Sequence, residues 1–354
     1  MTGAPDRHRA LGTFLVLAAA LVAVTALLAT APGALQRTGT EALVKLVVVV
    51  GLWIFVGHSG VVSFGHVAFM AIAGYGSAVL SLPVAKKAAL LQLPEPLATT
   101  ALPVWASAGL GVTLAGLVAL LIGVPLMRLR GIVASMATFA VLAITHVIAQ
   151  NWQAVTGGRQ ALVGVVRVTD LWLALAGCLT ALAVATLYRP SRHGLLLRCA
   201  RENEIAAAAS GIDVSRERLV AFVLSALVAG LGGVLYVHFL ATVTAGTFHL
   251  DLTFVTLAML VVGGMRSLTG AVVGTALVSI ANEALRTIER GTTVLGIPLD
   301  APPGLQEIGL ALLLLLVLLL RPAGLMGDRE AGWRGGRPAP SPGPVTNAQA
   351  ARGS

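Results

Sequence analysis

Long uncharged apolar runs constrain this chain more than any other feature. Ten of them fall near residues 10–31, 42–57, 60–82, 101–127, 131–150, 171–188, 219–240, 252–264, 268–282 and 305–320. Hydrocarbon offers backbone N–H and C=O groups no water to bond, so each run must satisfy its own as helix. The expected fold class is therefore all-α, a polytopic transmembrane helical bundle of about ten membrane segments with N- and C-termini cytoplasmic. A water-soluble fold is excluded by composition, since 57% of residues are hydrophobic and 11% charged, against roughly a quarter charged in ordinary soluble domains. Some runs fall short of the roughly 20 residues a straight crossing needs. The pair 42–57 with 60–82 is interrupted by Gly57, Gly60, Gly65, Gly74 and Gly76, and the pair 252–264 with 268–282 by Gly263, Gly264, Gly270 and Gly274. Each pair reads as two crossings or as one broken or re-entrant element.

Basic residues orient the chain. With ten crossings, 16 of the 24 Lys and Arg residues fall on the side of the N-terminus, seven on the other, and Lys45 within a segment. Basic loops mark the cytoplasmic side, which places both termini there. The first segment has Arg7 and Arg9 before it and Ala29-Thr30-Ala31 after it, but its apolar run exceeds a signal-peptide core, so it reads as an uncleaved helix. The membrane-spanning body is expected to cover 1–327. The 328–354 tail, rich in Gly, Pro, Ala and Arg, is expected to be disordered and cytoplasmic.

The stretch 189–218, RPSRHGLLLRCARENEIAAAASGIDVSRER, is the longest polar interval and holds six arginines. Helix formers run almost unbroken from Leu195 to Ser210, and Gly211 stands where a left-handed terminator is expected, so the stretch predicts one short helix outside the membrane. Its Glu204–Gly211 core presents small side chains, with Arg198, Arg201, Glu202 and Glu204 as a charged rim, which suits close approach of another protein. A helix lying on lipid headgroups is the plainer reading of the same composition.

Arg201-Glu202-Asn203-Glu204-Ile205-Ala206-Ala207-Ala208-Ala209-Ser210-Gly211-Ile212 resembles the cytoplasmic Glu-Ala-Ala loop of ATP-binding cassette importer permeases, in particular the LivM type of branched-chain amino acid permease. Four further stretches resemble that family in the same order: Gly60 to Phe69 with Gly74-Tyr75, Thr156-Gly157-Gly158 after Asn151-Trp152, Val262 to Gly270, and Arg321-Pro322-Ala323-Gly324-Leu325. The likeness covers roughly 40 to 327. Asn203 and Ala208 stand where acidic residues are usual, and Arg159-Gln160-Ala161 where small ones are more typical.

The resemblance implies a permease subunit importing branched-chain amino acids, or urea and short amides, and working with two ATPase subunits, a second LivH-like permease, an extracytoplasmic solute-binding protein and membrane lipid. Arg198, Arg201, Glu202, Glu204, Ala206, Ala207 and Gly211 would form the ATPase-coupling loop. No cofactor is expected and no nucleic acid, because lysine appears only at 45, 86 and 87 and no basic run interleaves with aromatics. None of those lysines follows a glycine, so the chain lacks a phosphate-cradling Gly-Lys-Ser/Thr loop. No His-Glu-x-x-His or Gly-x-Ser-x-Gly is present either, and neither catalytic residues nor a metal site is expected. For the solute path, polar groups at membrane depth point to Ser63, His66 and Thr138, then His146, Asn151, Thr156, Gly157 and Gly158. Gly263 and Gly264 belong to the late glycine-interrupted pair, which reads either as a transport-site break or as tight helix packing. The alternative function is a secondary transporter or channel for a small polar solute. That reading calls for charged groups within the membrane, whereas Glu41, Asp251, Glu283 and Glu307 lie near segment ends.

Overall fold

The computed structural model describes residues 3–289, 292–294, 297–299, 304–327 and 329–331. Of the tail expected from 328 onward, only Arg329–Ala331 lie among them. In chain order the elements are α1 (Gly3–Ala29), α2 (Gly33–Ser59), α3 (His66–Ser81), α4 (Val84–Leu90), α5 (Glu95–Ala98), α6 (Val104–Leu126), α7 (Gly131–Asn151) and α8 (Gln153–Thr156), then β1 (Leu162–Val163) and α9 (Leu171–Tyr188). They continue with α10 (Arg192–Glu202), α11 (Glu204–Ala209), α12 (Val214–Leu240), β2 (Thr242–Val243), α13 (Leu250–Gly263), α14 (Leu268–Glu289), β3 (Thr292–Val294), β4 (Ile297–Leu299) and α15 (Leu305–Leu320). Among the described residues, strand is confined to two short antiparallel pairs, β1 with β2 and β3 with β4. The protein is an all-α polytopic bundle.

Eight helical stretches among the described residues are long and apolar enough to cross a membrane: α1 from Ala10, α2, α6, α7, α9, α12, the stretch from Ala245 through α13, and α14. α3 meets the same test only together with α4, across a 117° bend, and α15 is apolar but shorter. The two doubtful glycine pairs separate into distinct helices. α2 ends at Gly60, in the left-handed region at φ 72°, and an extended stretch leads into α3. A tight turn over 264–267 joins α13 to α14. α2 also begins well before the expected residue 42, because Glu41 and Lys45 pair one turn apart at 2.7 Å and the charges stay within the helix.

α2 and α12 form the centre, with α3, α6 and α9 packed around them. α2 is buried continuously from Leu43 to Ser59. At the crossing of α3 and α12 the backbones nearly touch, since a Cβ on Gly233 would stand 2.1 Å from the Met70 carbonyl. The outer helices expose Leu15, Leu27, Leu121, Ile132, Met136, Ile280, Leu319 and Leu320, a surface that only lipid can solvate.

The helices alternate in direction, and 60–65, 127–130, 189–213, 264–267, 321–327 and 329–331 gather at one end, called here the basic end. Opposite it lie 82–103, 152–170 and 241–249. At that far end Trp105, Trp152 and Trp172 are all exposed, as in an aromatic belt at headgroup depth.

Candidate functional site

The basic loop forms two helices where the sequence predicted one. α10 starts at Ser191, whose hydroxyl accepts from Gly194 N at 3.2 Å. It stops at Asn203, whose backbone is extended and whose Oδ1 accepts from Ala206 N at 3.0 Å to cap α11. An Asn side chain that caps a new helix outcompetes continuation of the old one. The resemblance marks Asn203 as a departure, and its place in the fold is this corner. Gly211 adopts φ +82° and closes α11 as expected.

Arg198 donates to the Arg189 carbonyl at 2.9 Å, which ties α10 to the end of α9. Arg201 donates to the Gly57 carbonyl near the end of α2 and to Glu202 at 2.8 Å. That hydrogen bond holds the Glu202 carboxyl below the usual carboxylate range. Glu204 pairs with Arg130, between α6 and α7, at 3.0 Å and with Arg218 of α12 at 2.9 Å. The rim charges thus bind the loop to α2, α9, α12 and the α6–α7 turn.

Ala206 is exposed with Ala208, Ala209, Ser210 and Gly211. Ala207 is not part of that face: it is buried against Ala200, Val214 and Ile212, because one side of so short a helix must pack on the bundle. The face carries Ile205 instead, 82% exposed and outside the membrane-crossing stretches. Residue type alone hid it, because one isoleucine among alanines in an apolar chain draws no notice; its signal is its position among charges.

The C-terminal segment adds a contact with no counterpart in the sequence reading. Glu330 is buried, accepts from Leu268 N at 3.0 Å and from Thr269 N and Oγ1 at 3.1 and 2.9 Å, and pairs with Arg189 at 2.8 Å. It caps α14 while engaging the arginine whose carbonyl receives Arg198. Ser267 Oγ donates to the Arg329 carbonyl at 2.6 Å, and Leu325 N to the Val262 carbonyl at 2.9 Å.

The expected solute-path residues divide into three groups. Ser63, His66 and Thr138 come together near the basic end. His66 bonds Ser63 Oγ through Nδ1 at 2.8 Å and Ser225 Oγ through Nε2, and Phe64 N donates to Thr138 Oγ1 at 3.1 Å. All four polar side chains are fully buried, and Phe55, Phe69 and Phe222 surround the imidazole. Ser225 is absent from the sequence-level set, because its spacing from His66 gives no local cue.

The second group is at the far end. The His146 ring lies 3.7 Å from that of His249, and Gln150 Nε2 donates to His146 Nε2 at 2.8 Å. Asn151 and Gly157 line a polar cleft of about 600 Å³ with Gln92, Gln150, Arg159 and Gln160. Thr156 and Gly158 are not among its lining residues but brace the turn behind it, Thr156 Oγ1 donating to the Ala149 carbonyl at 2.7 Å and accepting from Gly158 N at 3.3 Å. Gly263 and Gly264 form the third group. A Cβ on Gly263 would stand 1.9 Å from the Gly270 carbonyl, and Gly264 adopts φ +116° against Ala323 and Gly327. The late glycines therefore pack backbone on backbone.

A profile of the branched-chain amino acid transport system permease component family matches residues 34–320, most of the chain. This chain belongs to that family. The permease is 24% identical to the high-affinity branched-chain amino acid transport system permease protein LivM of Salmonella typhimurium and 26% to that of Escherichia coli K12, each over 81% of this chain and 68% of the relative. A shorter match, 32% identical over 99 residues, 28% of this chain and 30% of the relative, is to a probable branched-chain amino acid transport permease protein LivH of Methanocaldococcus jannaschii. No solved structure gives a significant match. The permease is a multi-pass inner-membrane transport protein and not an enzyme.

Proposed function

We propose that the chain is one membrane-spanning subunit of an ATP-driven importer for branched-chain amino acids, its basic loop seated on a separate cytoplasmic ATPase. The observation that carries this reading is the exposed small-residue face of α11 with Ile205 at its N-terminal edge. A lone large apolar side chain among alanines is how a docking knob fits a cleft, and Ile205 lies outside every stretch long and apolar enough to cross the membrane. Family membership and the LivM and LivH relatives support the transport role and the solute class.

On this reading both termini are cytoplasmic, the chain crosses ten times, and its partners are two ATPase subunits, a second LivH-like permease and an extracytoplasmic solute-binding protein. Closure of the ATPases would push α11. Three anchors of the loop then carry the push: Arg201 of α10 into the end of α2 and the 60–65 stretch, Glu204 of α11 into α7 and α12, and Arg198 of α10 through Arg189 into Glu330 and α14. The buried Ser63–His66–Ser225 knot lies directly beyond the first anchor. The far-end cleft with Asn151, Gln150 and Arg159 would receive solute from the binding protein.

The test is reconstitution with the four partner components. ATP-dependent uptake of labelled leucine is expected, with urea and acetamide as competitors that report a different solute class. Uptake by this chain alone in ATP-free proteoliposomes would reject the importer in favour of a secondary transporter or channel.

A further inference from the structure

At the far end a cleft of about 310 Å³ opens between the start of α2, the start of α9 and the last turn of α12. Arg37 and Arg167, far apart in sequence, both line it. Among the described residues neither guanidinium has a carboxylate within 4 Å. Arg37 is held over the Phe239 ring, 5.8 Å from its centroid, so one cation is already oriented. The floor includes Thr169, 3% exposed, whose hydroxyl is buried without a hydrogen-bond partner. A buried hydroxyl left unbonded beside such a cleft is a donor that a ligand oxygen can satisfy.

Two guanidiniums on one cleft with a hydroxyl beside them are a donor set that oxyanions bind, and Arg matches phosphate geometry through its fork of N–H groups. Asp170 lines the same cleft, with Oδ1 accepting from Leu173 N at 2.8 Å to cap α9. Its charge suits a singly charged phosphodiester better than a doubly charged free phosphate. Exposed Leu35 and Trp172 adjoin the lining residues Gln36 and Leu171 in sequence and set the opening at headgroup depth, and its lining shares no residue with the polar cleft built on α7 and α8. We propose that Arg37, Arg167 and Thr169 form a phosphate site that takes the headgroup of an anionic phospholipid from the leaflet at the far end. The site ties α2, α9 and α12 together at that end, and the proposal does not depend on which solute is carried.

Native mass spectrometry of the purified full-length chain, titrated with phosphatidylglycerol or phosphatidylcholine, tests it. Phosphatidylglycerol should be retained roughly tenfold more strongly. R37Q/R167Q should abolish that preference, R37K/R167K should keep part of it, and R159Q, in the other far-end cleft, should leave it unchanged. A preference that survives in R37Q/R167Q overturns the proposal. So does a preference lost equally in R159Q, which would mark a diffuse charge effect. Inorganic phosphate is the third arm: if it binds alone with the same dependence on both arginines and displaces the lipid, the ligand is a free anion and the lipid assignment fails. Should R37Q/R167Q not fold, the R37K/R167K and T169V chains decide, with T169V expected to weaken phosphatidylglycerol retention about threefold and an unchanged value contradicting the site.

Discussion

Two breaks at the basic end are built on opposite principles. Between α2 and α3 an extended stretch is held by side chains: Thr138 receives Phe64 N, and His66 bridges Ser63 and Ser225. Between α13 and α14 the hold is backbone on backbone, with Gly263 against Gly270 and the turn clamped by Glu330. Side-chain hydrogen bonds can exchange partners as helices shift, whereas a contact with no side chains between two backbones has one arrangement. The early break is thus suited to moving and the late one to anchoring, although both show in sequence as glycines between apolar runs.

The largest expected effect breaks that contrast directly. Gly263→Leu must push α13 off α14 and should cost more than about 3 kcal/mol, seen as loss of a monodisperse peak in detergent. Gly60→Ala should cost about 2 kcal/mol, half for its left-handed backbone and half for moving the Arg201 stem, whose Cγ would stand 2.8 Å from the new methyl group. Equal losses would contradict the distinction.

Glu330→Ala comes next. Removing a buried carboxylate that caps α14 and pairs with Arg189 should cost about 3 kcal/mol in thermal unfolding, and Glu330→Gln less, because an amide oxygen still accepts from the helix amides. On the movable side, Ser225→Ala should cost about 1–2 kcal/mol and lower coupled uptake by more than the stability loss explains, while Thr138→Val affects mainly stability.

The smallest effect on the fold sharpens the functional half. Ile205→Glu should change stability by less than about 0.5 kcal/mol, since the side chain touches no core. Copurification of the ATPase should nonetheless be lost. Glu204→Gln is expected to weaken coupling as well, but through its two arginine anchors rather than the docking face.

Hydropathy alone made the bundle legible, because hydrocarbon leaves the backbone no alternative to helix. It did not fix boundaries: Glu41 and Lys45 conceal each other's charge within α2, so an extended helix reads as a late one. The basic loop was readable as helix and terminator, but its corner depends on an Asn203 cap that competes with strong helix formers by a margin composition cannot resolve. Three of the path candidates meet because α3 and α7 happen to cross there. Ser225 and Glu330 stayed invisible, since their partners lie far along the chain and only the packed bundle brings them within reach.

Cys199 is exposed on the basic loop and Cys178 is fully buried in α9, so the native chain carries a single labelling site for membrane topology. A membrane-impermeant maleimide should leave intact cells unlabelled and modify Cys199 in inside-out vesicles. Modification of Cys199 from outside intact cells would put the loop on the wrong side of the membrane for any cytoplasmic ATPase.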